Sequence, residues 1–111
     1  MGGTIKLTCK DITKLVLPAI RIAVAESLSK GYNYKQEEIA EKLGIVQVAV
    51  SKYLNKKYSK KVEKIKLYIE SKGLAENITK SIVSGGKPEE IDNEINALCE
   101  NKEILQIAQL K

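Results

Sequence analysis

Apolar residues recur at helical spacing along almost the whole chain. In residues 12–28 they form a stripe wide enough to predict a helix with a large buried face. Pro18 interrupts the stripe, which predicts either a short helix ending near Leu17 and a new helix at Pro18, or one helix that kinks there. We expect Gly31 to end this run. The stripe consists of Ile12, Leu15, Val16, Ala19, Ile20, Ala23, Val24 and Leu28.

The same spacing predicts further helices up to the C terminus. Two of them, over residues 36–43 and 46–54, meet at Gly44. The valines of VQVAVSKYL could suggest a strand, but the flanking helices and the short length favour a helix, so the sequence predicts an all-α fold. Gly73 follows the next stripe, and Pro88 stands where the first residue of a helix is expected. The later stripes are Tyr58, Val62, Ile65 and Ile69, then Leu74, Ile78 and Ile82, then Ile91, Ile95 and Leu98, and finally Ile104, Leu105, Ile107 and Ala108.

The junction at Gly44 predicts a helix-turn-helix. Gly44 follows the last apolar residue of the first helix, where a left-handed backbone is common. Ile45 and Val50 fit a hydrophobic staple at the start of the next helix, and Ala40 is small where the two helices would cross. In this arrangement the second helix, at about residues 46–55, lies in the major groove of DNA.

The second helix has one apolar face and one mixed face. Val50, Tyr53 and Leu54 are predicted to face the protein. On the other face, a glutamine can bond to adenine, an aliphatic group can pack on a thymine methyl, and Ser or Lys can reach phosphate or guanine. The lysines that follow the helix are placed to contact phosphates. The predicted DNA contacts are Gln47, Val48, Ser51, Lys52, Asn55, Lys56 and Lys57.

Charge and composition favour a nucleic-acid partner over a catalytic role. Residues 1–61 hold twelve basic and five acidic residues, whereas residues 62–111 hold seven and nine, so the net charge of +5 comes from the first part. This imbalance indicates a polyanion-binding module, although a solvated lysine-rich surface gives the same totals. The chain has no His, only two Cys and no glycine-rich phosphate loop, so we expect neither an enzyme nor a bound cofactor or metal.

No apolar run approaches the ~18–20 residues that span a bilayer, and the N terminus lacks the apolar core of a signal peptide. We therefore expect no membrane association and a cytoplasmic location.

The segment QEEIAEKLGIVQVAVSKYL resembles the Cro/repressor (XRE-type) family of helix-turn-helix DNA-binding proteins. The longer span that begins at LPAIRIAVAESL is similar to small archaeal predicted transcriptional regulators, and the resemblance covers about residues 9–58. It implies that Gln36 supports Gln47 while Gln47 reads an adenine. The chain departs from the family at Lys35 and Val46, because such motifs usually place Ser or Thr at these two helix caps.

These features predict a sequence-specific transcriptional regulator that binds double-stranded DNA through its second short helix. Two alternatives stay open: an architectural protein that coats DNA with little sequence preference, and a helical protein-interaction module. A coating protein loses affinity with salt but discriminates poorly among sites, whereas an interaction module shows no salt-linked affinity for DNA.

Residues 1–58 are predicted to form the DNA-binding unit, and residues 59–111 a C-terminal helical segment. The C-terminal stripes either mediate a homodimer, since one short recognition helix rarely supplies enough affinity, or complete the core of a monomer. Cys9 and Cys99 are either two buried thiols or a disulfide, formed within one chain or between two. Members of the resembling family often carry cysteines near both positions.

Overall fold

The computed structural model describes residues 12–109, and within them the chain is all-α, as the sequence predicts. A π-helical turn, Ile12–Val16, leads directly into the first of seven α-helices. The α-helices are α1 (Leu17–Tyr32), α2 (Gln36–Leu43), α3 (Gln47–Leu54), α4 (Lys60–Ser71), α5 (Glu76–Val83), α6 (Pro88–Cys99) and α7 (Lys102–Gln109). None of these helices has both the length and the apolar character that crossing a bilayer requires.

Helix α1 is the centre of the fold. It packs against each of the helices α2 to α6, and its most extensive contact is with α4. Its middle, from Ile22 to Glu26, is buried on every side, because alanines let the neighbouring helices approach closely while larger residues fill the space between them. Ile20, Ile22, Val24 and Leu28 have no exposed surface. The wide stripe that the sequence shows in this region is therefore the main source of the core.

The backbone before Pro18 is widened rather than broken. Pro18 lies in the first turn of α1, directly after the π-helical turn. A proline ring clashes with the carbonyl four residues earlier in a regular helix, and the wider turn of Ile12–Val16 relieves that clash. The expectation for Gly31 is wrong. Helix α1 continues through Tyr32, because Asn33 adopts the left-handed conformation that ends it, at φ 57°.

Helices α2 and α3 are joined by a three-residue turn that begins at Gly44. Gly44 has the predicted left-handed backbone, with φ 67°, and the Ile45 N–H donates to the Ala40 carbonyl at 3.0 Å. This bond closes the C-terminal end of α2. The predicted range of α2 is confirmed, whereas α3 begins at Gln47, because the backbone of Val46 is still extended (ψ 149°).

Helices α4 to α7 contribute to the same core. Helix α4 packs on α1 and α7, and α5 packs on α1 and α6. The buried residues of these helices include Val62, Ile65, Ile69, Ile78, Ile82, Ile91, Ile95 and Ile104. One hydrophobic cluster therefore joins residues on both sides of position 58, where the sequence places its boundary. The dimer assigned to the C-terminal segment stays a prediction, and the stripes that suggested it are buried within one chain.

Candidate nucleic-acid interface

Helix α3 is held against the protein by one face. Val50 is fully buried, and Tyr53 and Leu54 are partly buried against the core. Helices α1 and α2 form the surface on which α3 packs. The inward face is the one that the sequence predicts, so helix periodicity turns the residues between these positions toward solvent.

The outward face of α3 begins with an amide between two valines. Gln47 is exposed, and the side chains of Val46 and Val48 are 70% and 65% exposed. Among the described residues, no other large apolar side chain is as exposed as these two. Leaving a valine in water forgoes about 1.5 kcal/mol that burial would give, so this pair marks a surface suited to desolvation by a partner.

Val46 lies on this face but is not among the predicted DNA contacts. It stands at the N-cap of α3, and its side chain makes no capping hydrogen bond. The signal in the sequence was an aliphatic residue at a position where Ser or Thr is usual. The backbone N–H groups of Gln47 and Val48, in the first turn of α3, have no hydrogen-bond partner within residues 12–109.

Ser51 and Asn55 interact with each other on the last turn of α3. The Asn55 Nδ2 donates to the Ser51 carbonyl at 2.8 Å and to the Ser51 Oγ at 3.3 Å. Asn55 is exposed and Ser51 is half-buried. The Asn55 side chain therefore closes the end of α3, and its side-chain oxygen is the group left for another partner.

The chain turns sharply after α3. Lys56 has a left-handed backbone, with φ 58°. Its N–H donates to the Tyr53 carbonyl at 3.1 Å, and the Lys57 N–H donates to the Lys52 carbonyl at 2.8 Å. These two bonds form a Schellman motif, in which glycine is the usual left-handed residue. The turn ends α3 and leaves the Lys56 and Lys57 side chains exposed.

The segment from residue 42 to residue 62, called here the lysine segment, contains six lysines and no acidic residue. The exposed members are Lys52, Lys56, Lys57, Lys60 and Lys61. In the part of the chain that the structure describes, every ion pair involves Lys66. The exposed lysines around α3 therefore form no ion pair with a described carboxylate, and their charge favours an anionic partner.

Gln36 and Gln47 begin the two packed helices α2 and α3. Gln36 is half-buried and Gln47 is exposed. Among the described residues, no hydrogen bond links their side chains. At the start of α2 the Lys35 N–H donates to Glu38 Oε1 at 2.9 Å, so the acidic half of a capping box is present although the Lys35 side chain makes no capping bond. The support of Gln47 by Gln36 stays a prediction.

A cluster of charges, of which Lys66 and Glu26 are buried, lies beside the end of the lysine segment. Lys66 Nζ on α4 is 3.2 Å from Glu26 Oε1 on α1 and 3.6 Å from Glu70 Oε1. Burial alone would lower the pKa of Lys66, but its hydrogen bond to Glu26 and the charges of both carboxylates outweigh burial and raise it. The Lys66 ammonium also lies 5.9 Å from the ring centroid of Tyr58, whose pKa is raised by burial. The cluster thus ties the chain after α3 to α1 and α4.

Cys99 ends α6 and is buried, and burial raises the pKa of its thiol. Its predicted partner Cys9 lies outside the described residues, so the disulfide stays a prediction.

Comparison of the chain with protein-family models, with curated proteins and with solved structures finds no match.

Proposed function

We propose that the protein is a sequence-specific DNA-binding regulator, not an enzyme, and that it places α3 in the major groove of double-stranded DNA. The observation that carries the proposal is the run of exposed residues Val46, Gln47 and Val48 at the start of α3. A glutamine amide can both donate to and accept from an adenine edge, and valine methyl groups can pack on thymine methyl groups. Helix α3 also follows α2 after a short turn, as a recognition helix does in a helix-turn-helix.

The charge around α3 supports the same partner. Lys52, Lys56 and Lys57 are exposed and suit the phosphates that border the groove. The N–H groups of Gln47 and Val48 that lack partners among the described residues provide a further phosphate site, because the N-terminal end of a helix carries positive partial charge. Phosphate contacts of this kind position the protein on DNA, while Gln47 and the two valines would determine which DNA sequence it binds.

A second copy of the chain is the partner expected on DNA. Helix α3 has only eight residues, so one copy reaches few base pairs. Two copies related by a two-fold axis would read half-sites about 34 Å apart, which is one turn of the double helix.

The salt dependence of DNA affinity tests the proposal, with Lys57→Ala and Lys102→Ala as matched variants. Lys57 belongs to the lysine segment, whereas Lys102 begins α7, which packs on α4. Loss of one phosphate contact should weaken binding to all sequences alike and reduce the slope of log affinity against log salt by about one. Lys102→Ala should change neither quantity. Fluorescence anisotropy of a labelled duplex at several salt concentrations measures both.

Two results would contradict this assignment. Undetectable affinity for duplex DNA at low salt would favour a protein-interaction module. Salt-linked binding with nearly equal affinity for all sequences would favour a DNA-coating protein instead.

A further inference from the structure

An open cleft lies between α1, α4 and α5, and Lys56 forms part of its lining. Its volume of about 520 Å³ lies within the range of small-molecule sites in proteins, ~300–1,000 Å³. The apolar part of the lining consists of the buried residues Ala23, Ile69 and Ala75 and of Leu67, which is 53% exposed. The cleft can therefore receive the apolar body of a small organic molecule.

The charged groups of the cleft come from separate elements. Glu70 lies on the last turns of α4, and Glu76 begins α5. Lys30 lies in the last turn of α1, and Lys56 follows α3. Neither of these two lysines forms an ion pair among the described residues. The cleft thus offers both carboxylate and ammonium groups to a ligand.

Two carboxylates of the cleft lie against one buried lysine. Lys66 is only 3% exposed, and both Glu26 and Glu70 lie within 4 Å of its ammonium group. Burial raises the pKa of Glu70, and hydrogen bonding with Glu26 raises it further. The Glu70 side chain is 36% exposed, so its carboxylate is accessible to a ligand, and a cation placed beside it would favour its ionised form.

We propose that this cleft binds a small zwitterionic molecule of the α-amino acid type. Its ammonium group would pair with Glu70 and Glu76, its carboxylate with Lys30 and Lys56, and its side chain would pack on Leu67. The lining carries groups of both signs, so both charged groups of a zwitterion have partners of the opposite sign in it, whereas a ligand of a single sign would also meet charges that repel it.

Lys56 connects this cleft to the proposed DNA-binding surface. A carboxylate bound to its ammonium group would compete with a DNA phosphate for the same charge. This consequence rests on the proposed function, whereas binding of the zwitterion does not.

Isothermal titration calorimetry of the full chain without DNA tests the proposal, with the standard L-α-amino acids as probes at millimolar concentration. We expect at least one of them to bind. Its amide, which lacks the carboxylate, and its N-acetyl derivative, which lacks the ammonium group, should each bind roughly tenfold more weakly, because each loses a charged hydrogen bond.

Two variants and one control locate the site. Glu70→Gln and Lys56→Gln remove one charge of each sign from the cleft, and each should weaken binding roughly tenfold. Glu89→Gln changes an exposed carboxylate in the first turn of α6, outside the cleft lining, and should bind like the unchanged chain. Circular dichroism checks that each variant is folded. If Glu70→Gln does not fold, Lys56→Gln alone still tests whether the ligand binds in the cleft.

Three results would overturn the proposal: no binding by any amino acid, equal binding of the amide and N-acetyl derivatives, or unchanged affinity in both cleft variants. None of these measurements involves DNA, so a failure of the DNA-binding proposal would leave them interpretable.

Discussion

At the residue scale, Lys56 combines an unfavourable backbone with a useful charge. Its left-handed φ of 58° suits glycine, and a side chain there costs about 1 kcal/mol. We therefore expect Lys56→Gly to raise the free energy of unfolding by about 1 kcal/mol while weakening the binding of every duplex. Urea denaturation and anisotropy measure the two effects.

Lys57→Ala is the matched control for this pair of effects. It removes a neighbouring exposed charge from a residue without a left-handed backbone, so it should weaken DNA binding without raising stability. A less stable Lys56→Gly chain would show that the turn after α3 does not carry the strain inferred from its backbone.

At the element scale, local signals in the sequence predict most of the helices. Gly44 and Pro88 mark a helix end and a helix start that the structure confirms, because a left-handed cap and a first-turn proline are properties of a few adjacent residues. Asn33 is a weaker signal of a helix end, since Asn adopts this conformation less regularly than Gly. The exposure of Gln47 and Val48 also follows from helix periodicity once Val50 is assigned to the core.

Features that depend on packing between helices could not be predicted. Glu26 and Lys66 are forty residues apart in the chain, and only the contact of α1 with α4 brings them together. The same is true of the cleft, because Lys30, Lys56 and Glu70 line it from three separate parts of the chain. The spacing of residues along the chain does not indicate contacts between distant helices. The buried ion pair and the cleft are therefore visible only in the folded structure.

The ion pair between α1 and α4 should be strongly coupled. The Lys66 and Glu26 side chains are 4% and 7% exposed, so removing one partner leaves a charge in a poorly solvated site. We expect Lys66→Met to lower the free energy of unfolding by ~3–5 kcal/mol, and the double variant Glu26→Met with Lys66→Met to recover much of that loss. Urea denaturation of both single variants and the double variant completes the cycle. Additive losses in the double variant would rule out the coupling.

At the scale of the whole molecule, one core connects α3 to the C-terminal helices. The apolar stripes of α4 to α6 pack on α1, so a second copy of the chain would have to use other surfaces. The proposed pairing on DNA can be tested by sedimentation velocity with duplexes that carry one or two selected half-sites. We expect one chain on the single half-site and two chains on the double site, with half-site centres about 34 Å apart. A single chain on the double site at saturation would exclude the pairing.

Sequence-specific binding, as proposed, requires that Gln47 on α3 reads a base. Selection of binding sites from a pool of random duplexes, carried out in parallel with the unchanged chain and with Gln47→Ala, tests it most directly. The unchanged chain should enrich a motif that contains an adenine, and Gln47→Ala should lose preference at that position and bind the motif ~1–3 kcal/mol more weakly. Enrichment of the same motif by both proteins, or of no motif by the unchanged chain, would contradict the claim.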